Sequence, residues 1–125
     1  MRTRTRALFT VSVLALLAAC GPLRGGSGPE ARVVFDNRSM EQADVYVVAS
    51  GSTPVRIGTV FAGRRETLRV RGAALGGGSV NVIARLLGSS RAPRSGPVTL
   101  LAEDAIEVTL SPDGNMLSVL PGREP

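Results

Sequence analysis

The carboxylates of Glu103, Asp104 and Glu107, followed by Asp113, form the densest acidic group in the chain. Oxygen donors gathered this way are the material of a calcium site. The competing reading is a solvated strand entrance and edge, where charge discourages pairing with other chains. No loop here carries the spaced Asp/Asn ligands such a site uses, so no metal is expected. A second group is basic. Residues 56–94 hold eight arginines against Glu66 alone, whereas residues 103–124 hold five acids against Arg123. Arg69 and Arg71 share one strand face, Arg64 and Arg65 lie in the adjoining turn, and Arg56 precedes them. These five form a candidate face for phosphorylated lipid headgroups or an acidic partner. Internal compensation by the acidic C-terminal strands, with ordinary solvation, is the alternative.

Much else is missing from the catalytic repertoire. The chain has no histidine, no lysine and a single cysteine, Cys20. The usual general bases and nucleophiles near neutral pH are therefore absent, and no enzyme is expected. Carboxylate-only chemistry at Glu103, Asp104 and Glu107 would be the remaining route. Gly76-Gly77-Gly78 lacks the Lys-Ser/Thr of a phosphate loop and reads as a connection, so no cofactor is expected. Asn37-Arg38-Ser39 matches a glycosylation sequon, for which chance is the better explanation. Tyr46, among valines, reads as a half-buried strand aromatic. With so few aromatics, stacking on carbohydrate or single-stranded nucleic acid is poorly supplied.

The surroundings of Cys20 are more specific. Arg2, Arg4 and Arg6 precede an uncharged run from Leu8 to Leu17, with four leucines, two valines and Phe9. Leu17-Ala18-Ala19-Cys20 closes it. A membrane-spanning helix needs roughly 20 apolar residues, and the glycines and prolines after Cys20 would not continue one. The arrangement resembles the signal peptide and lipobox of bacterial lipoprotein precursors. That resemblance implies cleavage before Cys20, diacylation of its sulfur and, usually, acylation of the new amino terminus. Two or more acyl chains anchor a protein firmly where one does not. Gly21 stands where the family's inner-membrane retention signal would be aspartate, so the resemblance also implies outer-membrane sorting in a two-membrane envelope.

Losing residues 1–19 removes three of fifteen basic residues and none of the ten acidic ones, leaving a net +2. The overall +5 thus overstates basicity, and nucleic acid is not expected as a partner. With Cys20 committed to lipid, no disulfide or thiol ligand remains. Residues 20–30 read as a lipidated Gly/Pro/Ser tether. The ten residues from Gly21 to Glu30 reach at most about 35 Å and span roughly 17 Å as a flexible chain. Residues 31–121 form one domain, and 122–125 a tail.

That domain alternates with a period of two. Val33 and Phe35 share a face, as do Val45, Val47 and Ala49. So do Val55 and Ile57, then Leu68 and Val70, then Val80, Val82, Ala84 and Leu86. Ile106, Val108 and Leu110 follow, and Ser111 to Asn115 read as a hairpin loop leading to a return strand at 116–120. Between them, Gly88 to Gly96 reads as a polar connection before a strand at 98–101. Eight short strands at near-regular spacing predict an all-β antiparallel sandwich, resembling immunoglobulin-like or transthyretin-like modules in strand number and length only. An eight-stranded barrel is the rival. The only helix candidate is a turn at 39–42, since three glycines argue against one at 72–78. The expected role is a non-catalytic module binding another envelope protein, or else anionic envelope material through the arginines.

Overall fold

The computed structural model describes residues 28–122. The leader, Cys20, the first part of the tether and the last three residues lie outside the described residues. Eight strands are present: β1 Glu30–Asn37, β2 Ala43–Ala49, β3 Val55–Val60, β4 Arg65–Arg71, β5 Ser79–Leu86, β6 Arg94–Thr99, β7 Ala105–Leu110 and β8 Leu117–Pro121. One helical turn, α1 Gly72–Leu75, joins β4 to β5. The strands form two sheets, sheet I in the order β4-β1-β7-β8 and sheet II in the order β3-β2-β5-β6. They enclose one core as a β-sandwich, not a barrel. All pairings are antiparallel except β1 with β7, which run parallel. Parallel neighbours need a long crossover, supplied here by the stretch from β2 to β6, which visits sheet II twice with β4 of sheet I between.

Alternation builds the core. Ala31, Val33 and Phe35 of β1 are fully buried, facing Val45 and Val47 of β2 and Val80, Val82, Ala84 and Leu86 of β5. Leu68 and Val70 of β4 and Ile106, Val108 and Leu110 of β7 complete the inner faces. Each valine, leucine, isoleucine or phenylalanine among them contributes about 1.5–3 kcal/mol by leaving water. A slip of one residue in β1 would bring Arg32 and Asp36 inward, so burial fixes the register.

Three local expectations need correction. In β3, Val55 is 44% exposed and Val60 is the fully buried residue. Val45 pairs with Gly58 but Tyr46 with Arg56, so a bulge at Ile57 shifts the alternation. Gly58 then turns inward under Leu68, whose Cδ2 would lie 2.6 Å from a Cβ placed there. β6 begins at Arg94, inside the stretch read as a connection. Ser95 Oγ accepts the Val82 N–H at 2.9 Å across an irregular step in the ladder. The helical turn is Gly72–Leu75, and 39–42 is a bend. The glycine run ends this turn instead of interrupting it, with Gly76 at φ 54°, while Leu75 is buried against the core.

Candidate functional site

The chain enters the sandwich at one end, where Glu103 N–H donates to Glu30 O and α1 follows Arg71. Four loops form the opposite, distal end: residues 38–42, 61–64, 87–93 and 111–116. Each carries one large apolar side chain outward. Met40, Phe61, Leu87 and Met116 are between 55% and 89% exposed.

Hydrogen bonds tie these loops into one frame. Leu87 N–H donates to Gln42 O at 3.0 Å, and Ser89 Oγ–H to Glu41 Oε2 at 3.2 Å. Arg91 Nη1 donates to Asp113 O at 2.7 Å, and Arg38 N–H to Leu110 O at 3.2 Å. Asn37 N–H donates to Arg64 O at 2.8 Å. Asn37 is the centre of the frame and is fully buried. Its Nδ2 donates to Glu41 O (2.8 Å) and Val60 O (3.0 Å), and its Oδ1 accepts from Ser39 N–H and Oγ–H. The apparent sequon is therefore a structural staple whose amide is already fully used.

The outer face of sheet I follows from its register. Arg71 stands opposite Glu30, Arg69 opposite Arg32, Thr67 opposite Val34 and Arg65 opposite Asp36. Arg65 Nη1 reaches across β1 to Glu107 Oε1 at 3.0 Å. Beside this face, a groove of about 600 Å³ opens between the edge strands β3 and β4, bordered by Arg56, Arg69 and Arg71 and by Glu30, with Val55 and Leu68. The five candidate arginines thus divide. Arg56, Arg69 and Arg71 border one groove, Arg65 is held by Glu107, and Arg64 lies in a distal loop. Arg56 is also held, its Nη2 3.0 Å from Asp44 Oδ1. The ion pairs among the described residues are these two and Arg38–Asp36; Arg32, Arg64, Arg69 and Arg71 join none of them.

The acidic group is dispersed. Asp104 Oδ2 accepts the Leu101 N–H at 3.0 Å in the β6–β7 turn, and Glu107 is engaged by Arg65. Asp113 accepts from Ser111 Oγ–H at 2.5 Å and Asn115 N–H at 3.1 Å. These donors, Ser111 first, hold its carboxyl below the usual carboxylate range. Among the described residues, no three acidic, histidine or cysteine side chains come together as metal ligands.

Sequence reasoning missed Arg32 and the four distal apolar residues. Arg32 becomes part of the basic face only once β1 is known to lie beside β4. Met40 and Met116 carried a usable signal, as large apolar residues inside turn segments.

No family model and no curated protein matches the chain. Among solved structures it is similar to a protein from Eubacterium rectale, with 11% identity, a TM-score of 0.48, and coverage of 80% of this chain and 96% of that one. It is also similar to the CBM25-1 of beta/alpha-amylase from Paenibacillus polymyxa, with 12% identity, a TM-score of 0.44, and coverage of 80% and 98%.

Proposed function

We propose that this chain is a non-catalytic binding module of the bacterial envelope, anchored by lipid on Cys20 in the outer membrane, that recognises another envelope protein. The observation carrying this reading is the distal end. Four apolar side chains stand there, one from each loop, on a shared hydrogen-bonded frame, opposite the end where the chain enters. Clustered exposed apolar side chains mark interaction surfaces, and loops on a rigid scaffold are where binding residues concentrate. Two methionines add adaptable contact area. With the tether at the other end, the distal loops point away from the bilayer and toward a partner.

The test is purification of the lipidated chain from native membranes in mild detergent after brief crosslinking. A defined partner should accompany the wild type, survive moderate salt, and be lost from the double variant Phe61→Asp/Met116→Asp. Leu101→Asp, which alters an exposed leucine near the entry end, should keep it. A partner retained by the double variant would end the reading, as would the lack of any partner.

A second reading is favoured by one specific feature. Arg69 and Arg71 share an outer face near the entry end with Arg32, outside any ion pair among the described residues. Such a face suits anionic envelope material.

A further inference from the structure

We propose that Arg32, Arg69 and Arg71 form a site for the phosphate groups of anionic lipid headgroups, an inference that rests on the second reading above and specifies its ligand. Arg32 and Arg69 are direct cross-strand partners on the outer face of sheet I. Residues so placed have Cβ atoms about 4.5–5.5 Å apart, and like charges there oppose folding. Arg71 lies two residues along the same face, opposite Glu30, and none of the three arginines joins an ion pair among the described residues. A phosphate received by two guanidinium forks converts the repulsive pair into two charge-assisted contacts. The groove between β3 and β4, which Arg69 and Arg71 border, leaves the site open from the side.

Position selects the headgroup over a soluble acidic chain. The site lies on β1 and β4 toward the end where the chain enters at residue 28. The ten residues from Gly21 to Glu30 can reach at most about 35 Å, so lipid on Cys20 would hold that end near the bilayer surface. Phosphate is then presented at high local density, in a surface potential that draws in basic side chains.

The experiment uses the chain from residue 20 with Cys20→Ser, so that no acyl chain contributes. It keeps every core residue, since these lie between Ala31 and Leu117. It should sediment with phosphatidylcholine vesicles containing phosphatidylglycerol, not with phosphatidylcholine alone, and binding should fade with salt. Each arginine at an anionic surface strengthens association about fivefold. Arg32→Gln/Arg69→Gln should therefore weaken binding on the order of twentyfold, while Arg85→Gln/Arg94→Gln on sheet II should change it little. Thermal melting should show the first variant folded.

Equal loss in both variants, or no vesicle association at all, would overturn the site. So would displacement from vesicles by low inorganic phosphate, which would make free phosphate the ligand. Because Cys20 is replaced, failure here leaves the lipid anchor untouched, and a native chain lacking lipid would leave the vesicle result standing.

Discussion

The two sheets are built on the same inward pattern and differ on their outward faces. On sheet II, Asp44 sits among donors: it accepts from Arg56 Nη2 at 3.0 Å and Thr59 Oγ1–H at 2.7 Å, and Arg85 stands opposite it. Tyr46 faces Ile83 across the same face, and Ile83 is buried although it is not part of the core. That face sets its acid among donors, although Arg85 and Arg94 join no ion pair among the described residues. On sheet I, Arg32 faces Arg69. Burial selects inner residues for folding on both sheets, whereas outer residues are free to serve other ends. An uncompensated outer pair therefore points to something beyond the fold.

The comparison can be tested first where the sheets should be alike. Phe35→Ala in sheet I should cost about 3–5 kcal/mol and Leu86→Ala in sheet II about 2–5 kcal/mol. Urea unfolding of both variants checks this, and a loss confined to one sheet would contradict a shared core. The outer faces should then respond with opposite signs. Asp44→Asn should destabilise slightly, and Arg32→Gln should stabilise slightly, each by about 0.2–1 kcal/mol. Melting at low salt reads the difference, which should shrink as salt rises. If both variants are destabilised alike, the outer faces do not differ in kind.

The smallest effect belongs to Asp113. Its folded carboxyl titrates below its unfolded value, so its contribution is present above the unfolded value, ~3.9, and is lost as pH falls through the lower folded value. Asp113→Asn should lower Tm slightly near neutral pH, and the gap to wild type should close in acid. A gap that persists below that range would show that the hairpin loop does not depend on the charge.

How much of this was legible in the sequence varied with range. β2 and β7 alternate cleanly in burial, β5 departs from alternation only at Ile83, and Val45, Val82 and Val108 lie where period two puts them. β3 was misread because its bulge depends on pairing with β2, which no local pattern reveals. β6 hid behind Pro93, Gly96 and Pro97, residues that usually mark turns, yet it survives at a sheet edge where missing donors are tolerated. The arginines were visible, but their grouping was not. Arg65 and Glu107 meet across β1, and Arg32 joins Arg69 only through strand order. The distal surface needed four loops, far apart in sequence, to arrive at one end.

The reading of this chain as an anchored envelope module depends on its sole cysteine, Cys20. Intact-mass analysis of the protein taken from its own membranes measures that directly. The account predicts a chain beginning at Cys20 that carries two or three acyl groups. A product retaining Met1, or one with a free thiol at Cys20, would contradict it.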